Sequence, residues 1–198
     1  GRPFEGGRRT SDATDGDWVG VEQAVIAELR ASLHGEVIDQ LHPGYESARR
    51  VWNGLIDRRP AVIARCADTA DVVEAVRVAR THRPLLSVRG GGHQVAGSAV
   101  CDDGLVIDLS AMRGVQVDPG AGSVRAQGGV TWGELDRETQ VFGLATTGGE
   151  VSTTGIAGFT LGGGLGVLMR AYGLACDNLR SIQIVTADGT VRTASPDE

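Results

Sequence analysis

The sequence contains no lysine, so all nineteen of its basic residues are arginine. A chain without lysine cannot form the Schiff base that pyridoxal enzymes require. It also cannot supply the lysine that contacts phosphates in an ordinary P-loop. Pyridoxal enzymes and ordinary P-loop nucleoside triphosphatases are therefore excluded for these 198 residues.

An excess of positive charge is also missing. The net charge is −6, from 19 basic and 25 acidic residues, so no general affinity for nucleic acid is expected. We interpret the paired arginines as solvated surface rather than as a phosphate-binding stripe; they are Arg8-Arg9, Arg49-Arg50 and Arg58-Arg59.

Clusters of metal-binding or disulfide-forming residues are lacking as well. The three cysteines, Cys66, Cys101 and Cys176, are far apart and odd in number, which predicts reduced thiols. The histidines fit no ligand spacing, and no H-E-x-x-H motif occurs. These histidines are His34, His42, His82 and His93. We expect no metal site.

Long apolar runs are absent too. No stretch approaches the roughly 20 residues of a membrane span, so no membrane partner is expected. Residues 1–17 are polar and glycine-rich, lack a signal-peptide core and are expected to be disordered, which predicts a cytoplasmic location. Residues 18–55 are interpreted as an N-terminal helical segment, with helices over 18–33 and 45–52.

Glycine, by contrast, is abundant. The 30 glycines are about twice the usual share of ~7%. They cluster in 90–97, 120–133 and 143–166, with one more at 173, between apolar runs. Because glycine has no Cβ, this pattern predicts a backbone that approaches a ligand closely.

The predicted elements alternate between α and β. A buried strand at 61–65, a helix capped by Asp68-Thr69 and stopped by Pro84, and a second buried strand at 85–88 form one unit. Further strands are predicted at 105–109, 115–118 and 123–127, and a closing hairpin at 182–186 and 190–193. Thr131-x-x-Glu134 is a capping box opening a helix to about 140, and 167–172 is helix-like. This order predicts two α+β lobes rather than one doubly wound sheet.

The strand at 85–88 runs directly into Arg89-Gly90-Gly91-Gly92-His93. Successive glycines after a strand leave a row of backbone N–H groups unshielded, and such a nest binds phosphate oxygens. The glycines alone are equally compatible with a tight turn. His93 at the end of the nest favours a nucleotide cofactor, because imidazole is a competent nucleophile.

Two other enzyme classes fit the sequence poorly. The glycines of 162–166 resemble a dinucleotide fingerprint, but position 167 is valine where the last glycine belongs, and the preceding 156–161 is broken by Gly158. A nicotinamide enzyme is therefore not favoured. A Ser-His-Asp hydrolase is not favoured either, since no G-x-S-x-G elbow occurs.

Three motifs in order resemble a known family. They are Val88-Arg-Gly-Gly-Gly-His-Gln-Val-Ala-Gly97, Gly155-x-x-Gly158-x-x-Leu161-Gly-Gly-Gly-Leu-Gly166 and Arg170-x-Tyr-Gly-Leu-x-Cys-Asp-Asn178. From about Gly44 onwards the chain resembles the FAD-linked oxidases. The similarity is to the berberine-bridge-enzyme-like and 6-hydroxynicotine-oxidase-like branch of the vanillyl-alcohol-oxidase superfamily.

The resemblance implies a PCMH-type FAD-binding fold of two α+β subdomains with FAD between them. It implies a covalent bond from His93 to the 8α-methyl of the flavin, with Arg89 to Gly92 around the pyrophosphate. Many members of the branch have a second bond, to a cysteine at the position of Val151, so a single bond is expected here. The remaining candidate cofactor contacts are Gln127, Gly129, Val130, Gly149, Val151, Thr153, Thr154, Gly155 and Gly158.

The resemblance further implies an FAD-dependent oxidase that takes hydride from a small organic substrate and uses dioxygen as acceptor. We expect residues 56–198 to form the FAD-binding domain, incomplete at its C-terminal end and without a substrate domain, which a missing C-terminal part or a second chain would supply. The alternative is a non-catalytic flavin-binding fragment. Neither the substrate nor its catalytic base is assigned.

Overall fold

A computed structural model describes residues 17–196, with side chains from residue 23 onwards. The expected disorder of residues 1–17 therefore falls, except for Asp17, outside the described residues. The helices are α1 (Asp17–Ser32), α2 (Tyr45–Ala48), α3 (Thr69–His82), α4 (Trp132–Gln140), α5 (Ile156–Leu161) and α6 (Met169–Tyr172). The strands are β1 (Glu36–Asp39), β2 (Val62–Arg65), β3 (Leu86–Arg89), β4 (Leu105–Asp108), β5 (Val115–Asp118), β6 (Ser123–Ala126), β7 (Ile182–Val185) and β8 (Val191–Ala194).

A four-stranded sheet in the order β1-β2-β4-β3 forms the first half of the fold. Strands β2, β4 and β3 are parallel, and β1 is antiparallel to β2. Side chains alternate across the sheet, as a period of two requires. Val62 and Leu105 therefore pack beneath α1 and α3, whereas Ile63 and Val106 pack on the opposite face with Tyr45.

Local signals set the ends of α3 and α4 as predicted. The Asp68 carboxylate accepts a hydrogen bond from the Asp71 N–H at the start of α3, and Arg83 ends that helix with φ 53°. At α4 the predicted capping box is present: the carboxylate of Glu134 accepts from the N–H of Thr131 at 2.9 Å. These caps satisfy main-chain groups that lack partners inside the helix.

The N-terminal segment differs from the expectation of a helical segment over 18–55. Strand β1 lies within it and pairs residue by residue with β2, from Glu36 opposite Arg65 to Asp39 opposite Val62. The segment therefore contributes one strand to the first sheet. Strand β1 has four residues, and only two of them are apolar, so the pattern is too short to indicate a strand.

Strand β3 was expected to be buried, and this was wrong. It lies at the edge of the sheet, and Leu86 and Val88 on its outer face are 42% and 56% exposed. Only Ser87 and Arg89 turn inward. A short apolar run has the same sequence signature at an edge and in the centre, so position in the sheet decides its burial.

The second half of the fold contains two hairpins, β5-β6 and β7-β8, as predicted. Helix α4 packs against β5 around a core of Val130, Trp132, Leu135 and Ala175. Residues 156–161 form the short helix α5, with Gly158 inside it. The α+β class is confirmed. Over residues 17–196, none of the helices is long and apolar enough to cross a bilayer.

Candidate cofactor site

Three loops from different parts of the chain meet at the end of β3. They are the loop after β3 (90–94), the segment before α4 (127–130) and the segment before α5 (149–155). A Cβ built on Gly91 would lie 2.2 Å from the Gly155 nitrogen, and one built on Gly155 would lie 2.3 Å from the Gly91 nitrogen. A Cβ on Gly90 would lie 3.0 Å from the Gly128 carbonyl oxygen. Glycine is required because the loops cross backbone to backbone.

The loop after β3 carries a row of unused donors. Across residues 17–196, the main-chain N–H groups of 90–94 make no hydrogen bond to another protein group. Gly92 has φ +72°, a backbone conformation that glycine adopts without a steric penalty. Main-chain N–H groups without protein partners are the donors that a phosphate group requires.

Arg89 begins this loop, and its side chain points into the fold. Its Nε lies 3.1 Å and its Nη2 2.5 Å from the two carboxylate oxygens of Asp108, and its Nη1 donates to the carbonyl of Ala48. Arg89 is 6% exposed and Asp108 0%. The guanidinium is therefore fully used in bonds within the protein. Of the expected contacts of Arg89 with the phosphates, only those of its main chain are left.

Asp108 shows the electrostatic consequence of this pairing. Burial by itself would raise the pKa of Asp108, but the hydrogen bonds and charge of Arg89, with two bonds from Ser110, hold that pKa below its usual value. The carboxylate is charged and fully paired at neutral pH. The ion pair ties the ends of β3 and β4 together and so fixes where the glycine loop begins.

His93 lies at the far end of the loop and faces the segment before α5. Its Nε2 is 3.0 Å from the Thr153 hydroxyl, and its Nδ1 is 3.4 Å from the Thr154 hydroxyl. Burial lowers the pKa of His93 from its ordinary value, which favours the neutral imidazole. The loop thus brings a hydrogen-bonded imidazole, whose lowered pKa favours the neutral form, beside the row of free N–H groups.

Trp52 also contacts His93, and it was not among the site residues predicted from the sequence. The two rings are stacked, with centroids 5.1 Å apart and planes at 21°. The main-chain N–H of Trp52 donates to the carbonyl of Gly92 at 3.1 Å. No sequence signal marks this contact, since the residues are forty-one positions apart and belong to different elements.

The candidates before α4 support the site mainly through the backbone. The Gln127 side-chain oxygen accepts from the Gly114 N–H at 2.7 Å, so that side chain holds the β5-β6 hairpin. Val130 is fully buried in the core around Trp132. A Cβ on Gly129 would lie 1.8 Å from the Leu109 carbonyl oxygen. These residues build the wall behind the glycine loop, with the side chains of Gln127 and Val130 directed elsewhere.

The candidates around α5 differ among themselves. A Cβ on Gly149 would lie 3.0 Å from the Trp132 ring, so a side chain here would require the indole to shift by a few tenths of an ångström. Val151 is half exposed at the position where the second tether would need a cysteine. A Cβ on Gly158 would have no protein atom within 4 Å. Gly158 therefore has no packing reason to be glycine within the described residues.

Among the residues that the structure describes, one group of three side chains lies close enough together to hold a metal ion: His34, Asp68 and Asp71. The two oxygens of Asp71 accept three main-chain N–H groups, from His34 at 2.8 Å, Gly35 at 2.9 Å and Ala67 at 2.8 Å. The buried carboxylate is thus fully used in fastening the 34–35 turn to the start of α3. The cluster is explained by the fold.

A glycine loop with unused N–H donors, crossed by a second loop and ending on an imidazole, defines an α+β domain that binds a phosphate-bearing cofactor. Comparison with known proteins specifies the cofactor. The family model described as "FAD binding domain" matches residues 60–195. The chain therefore belongs to the FAD-binding domain family, and it is similar to 6-hydroxynicotine oxidases and berberine-bridge-enzyme-like proteins.

Individual relatives agree with this assignment. The (R)-6-hydroxynicotine oxidase of Paenarthrobacter nicotinovorans is 40% identical over 167 residues, which are 84% of this chain and 36% of that protein. The crystal structure of 6-hydroxy-D-nicotine oxidase from Arthrobacter nicotinovorans has a TM-score of 0.82 at 40% identity, covering 84% of this chain and 37% of that one. Wild-type BBE-like 1 of Physcomitrella patens has a TM-score of 0.82 at 28% identity, covering 86% and 37%. The chain thus spans little more than a third of each.

Proposed function

We propose that this chain is the FAD-binding part of an FAD-dependent oxidase. Its relatives include a protein named as a 6-hydroxynicotine oxidase and one named as an FAD-linked oxidoreductase. The observation that carries the proposal is the meeting of the loops 90–94 and 149–155 around His93. A non-catalytic flavin-binding fragment remains the alternative that the experiment below separates from it.

The residues present fit FAD in a specific way. The N–H groups of Gly90, Gly91 and Gly92 are proposed to donate to the pyrophosphate, because they lack protein partners. A Cβ at Gly91 would collide with the Gly155 backbone and so prevent the two loops from approaching each other this closely. The hydroxyls of Thr153 and Thr154 lie against the His93 imidazole and would hold it in place beside the bound flavin.

The tether is proposed to be a single covalent bond from a ring nitrogen of His93 to the 8α carbon of the flavin. The neutral imidazole, favoured by the lowered pKa of His93, has the lone pair that the bond needs. Bond formation takes one hydrogen from the methyl group and one from the imidazole, and dioxygen accepts both with two electrons to give hydrogen peroxide. Valine at position 151 leaves no thiol for a second bond.

When bound, FAD would supply the redox chemistry of an oxidase, which is hydride acceptance from a small organic substrate and electron transfer to dioxygen. The protein's part is to bind and orient the cofactor. The relatives are almost three times as long as the matched region. We propose that polypeptide outside these 198 residues, on the same or a second chain, supplies the substrate site.

Anaerobic reduction tests the proposed activity. An oxidase bleaches its oxidised flavin spectrum when substrate is added without oxygen, and colour returns on admission of air. The assay uses the protein together with the polypeptide that completes it. Bleaching by small organic donors, with hydrogen peroxide on reoxidation, is the expected result. A complete protein that binds FAD but is bleached only by dithionite would support the non-catalytic alternative instead.

A further inference from the structure

The stack between Trp52 and His93 is not explained by burial. Trp52 is 60% exposed, so this large apolar side chain lies largely in solvent. Within the part of the chain that the structure describes, its one aromatic partner is the His93 imidazole, at 5.1 Å between centroids and 21° between planes. An exposed tryptophan gains little by burial, so its position points to a role at the imidazole.

The residues that follow Trp52 hold the same loop. Asn53 Nδ2 donates to the Val95 carbonyl at 2.9 Å, and Arg58 Nη1 donates to the Gly97 carbonyl at 3.0 Å. The main-chain N–H of Trp52 holds Gly92 at 3.1 Å. The segment 52–58 therefore runs along the loop that carries His93 and fixes the indole relative to the imidazole.

The nitrogen edge of the imidazole is held from the other side. Thr153 faces Nε2 at 3.0 Å, which is an ordinary hydrogen bond, and Thr154 faces Nδ1 at 3.4 Å, which is a long one. A stacked ring on the face and a hydroxyl at the edge together define both the plane and the rotation of the imidazole.

We propose that Trp52 is a positioning residue for covalent attachment of the flavin: with Thr153, it holds the His93 imidazole in the orientation in which it bonds to the 8α carbon. The inference rests on the tether proposed above. Trp52 has no acid–base group, so it acts through His93. Attachment is faster from a fixed orientation because the imidazole does not lose rotational entropy when it meets the flavin.

The stack has an electrostatic consequence that can be measured without FAD. Burial is the cause of the lowered pKa of His93, and the side chains that stack on the ring or hydrogen-bond to it, Trp52, Thr153 and Thr154, are uncharged. Removing the indole admits water to one face of the imidazole. The pKa of His93 should then rise towards its ordinary value.

The test compares wild-type protein with Trp52→Phe, which keeps a stacking ring, and Trp52→Ala, which does not. Phe142→Ala is the matched control, since Phe142 is an exposed aromatic at 50% with no ring contact to His93. Covalent flavin is measured over time by intact mass after adding FAD to flavin-free protein. The titration midpoint of His93 is measured in the flavin-free protein by nitrogen-15 NMR.

We expect Trp52→Ala to slow attachment about tenfold, from the loss of one aromatic stack, and to raise the His93 midpoint. Trp52→Phe should restore most of the rate, and Phe142→Ala should match the wild type. Thr153→Ser should attach flavin faster than Thr153→Val. Circular dichroism verifies that each variant is folded.

The outcomes separate this inference from the tether itself. Wild-type protein that never gains covalent flavin would refute the tether, and the positioning role with it. Wild-type protein that gains flavin while Trp52→Ala gains it at the same rate would overturn the positioning role alone. A shifted midpoint with an unchanged rate would also overturn it, because the imidazole would then react equally well without the stack.

Discussion

A methyl group added at Gly91 would collide with the backbone of the neighbouring loop. The Cβ would lie 2.2 Å from the Gly155 nitrogen and 2.6 Å from its Cα, where non-bonded atoms need about 3.5 Å. The obstacle is main chain, so the two loops must separate by about 1 Å. Overpacking at a close-packed position costs about 1–3 kcal/mol. We therefore expect Gly91→Ala to lower the free energy of unfolding by about 2–3 kcal/mol.

The same separation would move His93 away from Thr153, whose carbonyl oxygen would also lie 3.2 Å from the new Cβ. We expect FAD affinity to fall at least about tenfold, since a displacement near 1 Å is enough to disrupt a bound geometry. The assay is fluorescence titration with FAD in a His93→Ala background, where binding is reversible, together with urea unfolding.

Gly54→Ala is the matched control, because a Cβ at Gly54 has no neighbour within 4 Å. It should keep wild-type stability and affinity. If Gly91→Ala bound FAD as tightly and unfolded at the same urea concentration as this control, the backbone crossing would not be a feature of the protein in solution, and the reasoning would be refuted.

Three further predictions follow from the contacts of single side chains. Asp108→Asn leaves buried Arg89 without its counter-charge and should cost about 3–5 kcal/mol of stability in urea at pH 7. The pKa of Asp108 is lower in the folded than in the unfolded chain. The ionised carboxylate therefore stabilises the fold fully above about pH 4, and this stabilisation is lost as the pH falls through the folded-state pKa. Urea midpoints measured at several acid pH values should show this loss in the wild type and less of it in Asp108→Asn. Asp71→Ala removes the acceptor of three main-chain N–H groups and should cost about 3 kcal/mol by thermal or urea unfolding, and an unchanged stability would contradict that role. Because burial lowers the pKa of His93, its neutral form should already dominate at pH 7, so the rate of covalent flavin attachment should fall only below about pH 6.5; a rate that still rises between pH 7 and 8 would contradict this.

Elements governed by local chemistry were predictable from the sequence. The start of α3 at Thr69 and the capping box at Thr131 depend on residues within one helical turn. The hairpin joining Asp118 to Ser123 depends on its turn residues. Strand β1 was missed because it is defined by its pairing with β2, and pairing between distant residues leaves no local pattern.

The candidate site shows the same difference between features set by neighbouring residues and features set by contacts between distant ones. The glycine loop and His93 were visible in the sequence, and the structure brings Thr153 and Thr154 against that histidine. The commitment of Arg89 to Asp108 was not visible, because an arginine beside a glycine loop has the same signature whether it binds phosphate or a buried carboxylate. The Trp52 stack joins elements that only tertiary packing brings together.

The intact mass of the purified, denatured protein tests the central claim most directly. We expect wild-type protein to carry the mass of one FAD less the two hydrogens lost on bond formation, and the acid precipitate to be yellow. His93→Ala should have the mass of the polypeptide alone, with any flavin in the supernatant. Wild-type protein at the bare polypeptide mass after exposure to FAD and oxygen, or a His93→Ala variant that retains precipitable flavin, would contradict the claim.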